Sequence, residues 1–391
     1  MLDLVRHFHS LDDPREVYRV SHRFTDIMVT ALLASMCGCD GWDEFELFAE
    51  AKLPWLKTFM PLEEGAPSAD TFRRVISRLD PLKFNDCFIA WVNELAVALN
   101  EDQLALDGKT LRHSFDRTVG KKPLHLVRAW GCKNRLILGQ VACEEKSNEI
   151  TAVPILLRLL NIKGALVSMD AMGCQKETAA QIVDAGGDYL LALKGNQGNL
   201  HDEVREHFET LEKTQYQSIP DEQKHTAHNP KNPHGRTEVR KVTVETNLAF
   251  SSEKPNWKNL QCVIQVESKR VVKEVESNEK RYYICSLPKD RATGVAMQDA
   301  VRAHWGIENR LHWVLDVQFR EDENTIHEGH GPQNMATLRN MAVNLLKQEK
   351  SGRIGKKGLK AKAKMAAFSG DFLLKVLAHG FEIFKAGSST P

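Results

Sequence analysis

Between Gln103 and Gln197 the apolar runs are short, and helical stretches separate only the later ones. That order restricts the fold more than any other feature of the chain. Gln103 to Leu106 is an apolar strand ending in Asp107-Gly108-Lys109. Leu124 to Trp130 alternates, and Arg135 to Cys143 is a third strand across the turn Gly131-Cys132-Lys133-Asn134. Ile150 to Leu160 predicts a helix with Pro154 in its first turn. Ala165 to Met169 is a strand ending at Asp170. Lys176 to Ala185 is a helix stopped by Gly186-Gly187, and Tyr189 to Leu193 is a strand ending at Lys194-Gly195-Asn196. The first three strands can pair through short connections. The later ones arrive through helices, which implies parallel crossovers. The expected class is α/β, a mixed sheet with helices on both faces.

Around this core, residues 1–100 read as helical. Phe24 to Met36 is apolar enough to be a buried helix, and Glu44 to Lys57 has apolar residues at helical spacing. Ser68 can cap a helix carrying Phe72, Val75, Ile76 and Leu79 on one stripe, with Arg73, Arg74 and Arg78 mainly off it. Its arginines suit a helix-turn-helix on DNA or a plain surface. Asp80-Pro81 ends it, and another helix runs from about Leu82 to Leu99. Residues 200–288 are expected to be a partly β insertion. Its first part, to about residue 235, is a helix and a long loop, and strands follow at Thr237 to Glu245, Leu260 to Lys269 and Arg281 to Ser286. Residues 289–346 return to helix. Residues 347–391 form a helical tail that begins with a basic stretch, Lys347 to Lys364, fit for a phosphate backbone or for a solvated helix.

Composition narrows the function. The net charge is +1 over 391 residues, so no global field advertises nucleic acid and any DNA contact rests on local patches. The eight cysteines form no CxxC pair, and Cys37-x-Cys39 has no partner pair at zinc spacing, so a reducing cytoplasm is expected. No signal peptide is visible, and the apolar run Ile27 to Cys39 is too short to cross a bilayer. Gly108-Lys109-Thr110 is not a phosphate-binding P-loop, because Gln103 stands where the first glycine belongs.

Asp107 and Asp170 each follow an apolar strand, at the carboxyl edge where open α/β sheets hold ligands. A strand-end Asp is also an ordinary turn residue or helix cap. Two on neighbouring strands repel unless a cation lies between them. Glu308 sits in the aromatic segment Arg302 to Asp316, where metal ligation, an arginine pair or a solvated face are all open to it. Read as a regular helix, Trp305, Glu308 and His312 share one side.

Four segments, ALDGKTLR around Asp107, VSMDAMGCQ around Asp170, LALKGNQ around Lys194 and HWGIENRLHWVLD around Glu308, occur in that order. Together they resemble the DDE transposases of bacterial insertion sequences, most of all the H-repeat-associated proteins linked to Rhs elements. The resemblance covers nearly the whole chain. It implies a ribonuclease H-like domain, interrupted by the insertion, in which Asp107, Asp170 and Glu308 bind two Mg²⁺ or Mn²⁺ ions and catalyse DNA cleavage and strand transfer. It also implies DNA as partner and a homodimer on synapsed ends. Lys109, Arg112, Lys194, Asn196, Gln197, Arg236, Arg240, Arg302 and Arg310 are the candidate DNA contacts. Related transposases carry Tyr-x2-Arg-x3-Glu-x6-Lys around the glutamate. Here those flanking positions are Val301, His304 and Leu315. A catalytically silent DNA-binding descendant and a ribonuclease H-type nuclease are the alternatives.

Overall fold

The computed structural model describes residues 6–16, 20–99, 102–115, 120–143, 149–229, 237–272 and 275–387. The chain forms two compact units. The first comprises Met1–Glu101, Gly108–Lys146 and Glu308–Pro391; the second comprises Asp102–Asp107 and Ser147–Ile307. Among the described residues no helix is long and apolar enough to cross a membrane.

The first unit opens with α1 (Phe24–Met36), whose residues from Asp26 to Met36 are all buried. Arg23 closes a 2.7 Å pair on Asp26, which removes the cost of that buried carboxylate. Next come α2 (Trp42–Ala51) and a one-turn helix, Leu53–Leu56. In α3 (Ala69–Arg78) the Ser68 hydroxyl accepts from the Thr71 N–H at 3.3 Å, and Phe72, Val75 and Ile76 are buried as their spacing requires. Two of its arginines are engaged in ion pairs: Arg73 grips Glu328 at 2.7 Å, and Arg74 pairs with Asp70 at 2.6 Å. Helix α4 (Pro81–Leu99) follows the Asp80-Pro81 break.

Strand β1 (Gln103–Thr110) belongs to both units, while the antiparallel pair β2 (His125–Gly131) and β3 (Leu136–Ala142) lies in the first. In the second unit, α5 (Glu149–Leu159) contains Pro154 inside the helix, not in its first turn as expected. Strand β4 (Leu166–Met169) pairs parallel with β1 and with β5 (Asp188–Leu193), across α6 (Lys176–Asp184). Helix α7 (Gly198–Lys213) then leads to β6 (Lys224–Asn229), β7 (Thr237–Glu245), β8 (Cys262–Val272) and β9 (Val275–Cys285), all antiparallel. Strand β9 pairs with β5, so the order is β3-β2-β1-β4-β5-β9-β8-β7-β6. The first five positions form the expected mixed sheet. Strand β6, sequence KHTAHN, replaces part of the expected long loop; it has no apolar alternation because it is a polar edge strand.

Helix α8 (Gly294–His304) packs Met297, Ala300 and Val301 against Val242, Val244, Ile264 and Tyr283 of the sheet. At its first residue a Cβ on Gly294 would lie 2.6 Å from the Lys224 carbonyl carbon, so only glycine allows this approach to β6.

The last part of the stretch 289–346, expected to be helical, is α10 (Gly331–Gln348), buried along nearly its whole length and the central helix of the first unit. Its asparagines have backbone or amide partners, Asn340 among them through Gln140 at 2.8 Å. Asn334 donates to Ile76 O at 2.8 Å and Leu79 O at 2.9 Å. Asn344 accepts from Ile137 N at 2.9 Å and donates to Ile137 O at 2.8 Å, and thereby stands in for a further strand on the open edge of β3. The basic stretch beyond is partly structural. The Lys347 ammonium lies 3.8 Å over the Trp130 ring, and Lys362, on α11 (Leu359–Phe368), donates to Leu346 O at 3.2 Å at the end of α10. Helix α12 (Gly370–Gly387) follows.

Candidate active site

In the second unit the β1–β4 register pairs Leu106 with Met169. The next residue in each case is an aspartate: Asp107 lies within β1, which runs on to Thr110 instead of ending at Leu106 as expected, and Asp170 is the first residue past β4. Both follow the registered pair, which brings two carboxylates to one edge. Asp107 is half-buried and Asp170 exposed. Asp170 also caps the short turn Ala171–Gly173: its Oδ1 accepts from Met172 N at 2.9 Å and Gly173 N at 3.4 Å. The cap fixes the carboxylate and leaves Oδ2 outside those two bonds.

Two neighbours brace this edge. Asn196 donates to Ala171 O at 2.7 Å, and Gln197 donates to Cys174 O at 2.9 Å, so the loop after β5 is tied to the turn after β4. Beneath them runs a buried polar chain. Gln103 Nε2 donates to Ala300 O at 2.9 Å and reaches Ser168 Oγ at 3.2 Å; Ser168 Oγ donates to Leu104 O at 3.1 Å and meets His304 Nδ1 at 3.1 Å. His304 is thereby seated beside Asp170. Burial pushes its pKa down to about 4, outweighing the opposing pull of the Asp170 charge. The imidazole is therefore neutral at pH 7. Ser168 and Gln103 were not singled out from sequence, since a serine and a glutamine inside apolar strands give no signal by type.

In the first unit, Glu308 is exposed on a π-helical turn, Ile307–His312, that continues into α9 (Trp313–Phe319). A regular α-helix was expected. The wider turn inserts one residue into the register, so the i, i+4 rows around Glu308 do not hold; such turns recur at functional sites. Beyond α9 the chain reverses at Arg320 (φ 50°), and the short turn Glu321–Glu323 enters a buried charge network. Arg128 and Glu321 are both fully enclosed and joined at 3.0 and 2.6 Å. Lys109 bonds Glu321 at 3.3 Å, Asp322 at 3.0 Å and Asp316. Burial alone would raise the Glu321 carboxyl, but Arg128, Lys109 and Arg339 outweigh it and hold the group down to about 2. His312, on the π turn, is pushed down to about 3 by burial and then by Arg128 and Lys109.

The two depressed histidines make acid destabilising. An unfolded histidine titrates near 6.5, so between pH 6.5 and about 4 the unfolded chain binds more protons. Stability is therefore full above pH 6.5 and falls as pH drops towards 4 and 3, with a slope approaching about 1.4 kcal/mol per pH unit for each group. Urea unfolding at pH 7, 6, 5 and 4 should show this decline, and His304→Gln or His312→Gln should flatten it. Constant stability from pH 7 to 4.5 would contradict the assignment.

The candidate DNA contacts have varied settings. Lys194 at the end of β5, Arg302 at the end of α8 and Arg310 on the π turn are exposed. Arg112 is 79% exposed, with Nε 3.5 Å from Asp322. Arg240 is half-buried and paired with Glu238 at 2.7 Å. Lys109 is enclosed by carboxylates, and Asn196 and Gln197 hold backbone carbonyls. Arg236 lies outside the described residues. Among the described residues no group of three or more His, Cys, Asp or Glu side chains is gathered as a metal cluster.

Comparison with known proteins gives matches over most of the chain. A family model described as "Transposase DDE domain" matches residues 99–345, and one described as "DDE_Tnp_1-associated" matches residues 5–92. "H repeat-associated putative transposase YhhI" of Escherichia coli K12 is 36% identical over 96% of this chain and 97% of its own length. "Uncharacterized protein in dhlA 3'region" of Xanthobacter autotrophicus is 42% identical over 72% of this chain and 94% of its own. Among solved structures, a piggyBac transposase synaptic complex with hairpin DNA aligns over 96% of this chain and 76% of its own, at 10% identity and a TM-score of 0.38; that likeness is too slight to weigh.

Proposed function

The chain belongs to the transposase DDE-domain family, and from that premise we propose that it cuts DNA at the ends of a mobile element and joins them to a target. In this reading Asp107, Asp170 and Glu308 hold two Mg²⁺ or Mn²⁺ ions. The observation that carries it is the pair of aspartates that follow the registered residues Leu106 and Met169 of β1 and β4. Their donor set fits: hard carboxylate oxygens, one of them already oriented by backbone N–H groups, suit a hard divalent ion. Such ions supply an activated water and neutralise charge at an in-line phosphoryl displacement.

The chain's own residues do the rest. The Asp170 cap keeps its carboxylate from turning away. Neutral His304 braces the strand floor through Ser168 and leaves the work of a phosphate cation to exposed groups. Arg302, Arg310 and Lys194 are the side chains we assign to phosphates, each as a charge-assisted contact that positions DNA without reading its sequence. Two copies would synapse two ends, in the cytoplasm where the DNA is. The replacements at Val301, His304 and Leu315 favour one other reading, a descendant that binds element ends without cutting.

The test is cleavage of DNA carrying candidate terminal repeats, with Mg²⁺ or Mn²⁺, by the wild type and by Asp107→Ala and Glu308→Ala. Metal-dependent nicking that each substitution lowers by roughly 10³-fold, about 4 kcal/mol of barrier, supports the assignment. Nicking that survives both substitutions sinks it. End-specific binding with no nicking by the wild type establishes the silent binder instead.

A further inference from the structure

We propose that Lys109 is a positioning residue, not a DNA contact: it fixes the helix that follows Glu308 to the end of the strand that carries Asp107. The proposal rests on the functional reading above only for the consequence in catalysis.

The geometry is specific. Lys109 is two residues after Asp107 on β1 and is only 10% exposed. An ammonium has three N–H donors, and three carboxylates surround this one: Asp316, Glu321 at 3.3 Å and Asp322 at 3.0 Å. No donor is left for a phosphate. Asp316 lies on α9, which continues without a break from the π turn bearing Glu308, eight residues earlier. Glu321 and Asp322 lie on the turn that ends that helix. One cation thus holds both the helix after Glu308, at its middle, and the turn that follows it. Glu321 is itself locked to Arg128 on β2, at 2.6 Å, so the clamp is anchored in the sheet. Without Lys109 the three acids would face each other with less cation than they need, and the segment would loosen. A loosened Glu308 costs rate through misplacement.

The two roles give opposite signatures. A phosphate contact removed by Lys109→Met weakens binding on every DNA sequence and lowers the salt-dependence slope by about 1. A positioning residue leaves affinity and slope alone. Full-length wild type, Lys109→Met, Lys109→Arg and Asp316→Asn would be compared with an element-end duplex. The expected results for Lys109→Met are affinity within twofold of wild type, an unchanged salt slope, a cleavage rate lowered about 30-fold, and a several-fold higher Mn²⁺ concentration at half-maximal rate. Lys109→Arg should recover most of the rate, and Asp316→Asn should show a smaller loss of the same kind.

Backbone hydrogen exchange supplies a readout that needs no cleavage. Amides of residues 308–323 should exchange roughly tenfold faster in Lys109→Met, with α1 and α10 unchanged, and Lys109→Arg should restore protection. Unchanged exchange in that segment overturns the proposal. So does a tenfold loss of affinity with a shallower salt slope. If the wild type itself does not cleave, the functional reading fails, while the exchange result still decides the role of Lys109.

Discussion

Asp170→Asn should fold like the wild type and lose DNA cleavage by at least roughly 10³-fold, about 4 kcal/mol of barrier. The separation is possible because the cap uses Oδ1 and leaves Oδ2 for the proposed metal ion. An asparagine Oδ1 can still accept from Met172 and Gly173, so the turn keeps its cap. What disappears is the negative charge and the second carboxylate oxygen, which a divalent ion needs and a cap does not. Asp170→Ala removes both roles and should also cost about 1 kcal/mol of stability. Thermal unfolding beside single-turnover cleavage distinguishes the cases. An Asn variant that cuts at the wild-type rate would reduce Asp170 to a turn residue.

The second large effect concerns stability. Arg128→Leu leaves Glu321 buried, with its bidentate partner gone and, among the described residues, Lys109 alone still paired with it. Breaking a fully buried pair from one side costs about 3–5 kcal/mol, a large part of the stability of a typical domain. Replacing both, as Arg128→Met with Glu321→Leu, should recover much of that loss, because no uncompensated charge stays inside. Denaturant unfolding of the two single variants and the double gives the coupling directly. A single variant within 1 kcal/mol of wild type would mean that water reaches this pair.

The parts of this molecule that were legible in its sequence are those where one local rule decides. An apolar run followed by Asp gave β4, with Asp170 just past its end, and the first half of β1, which runs on beyond Asp107 to Thr110. Ser68 before a 3.6-residue stripe gave the start of α3, and Gly186-Gly187 gave the stop after α6. Illegible parts depend on distant partners or on broken periodicity. Strand β6 exists because β7 offers it an edge, not because KHTAHN prefers extension. The π turn at Glu308 is an inserted residue, invisible to a pattern that assumes 3.6 per turn. Helix α10 hides its central place behind Asn334, Asn340 and Asn344, which look like surface residues until their amides are seen to bond Ile76, Leu79, Gln140 and Ile137. The three acids around Lys109 lie more than 200 positions away in the chain, so its immediate neighbours give no sign of them.

That last separation bears on how the protein is made. The first unit is assembled from three stretches of chain, 1–101, 108–146 and 308–391, whereas nearly all of the second is the single stretch 147–307. On the ribosome the hairpin β2–β3 emerges long before the asparagine that seals its outer edge, 207 residues later at Asn344. Throughout that interval β3 presents unpaired amides and carbonyls, and β2 holds an arginine with no Glu321 to meet it. The nascent first unit therefore waits, half-built, while the second can close around its own sheet. Synthesis that stalls before α10 leaves a strand edge open to any neighbouring chain, which makes translation speed and chaperone access a quantitative control on how much working protein a cell obtains.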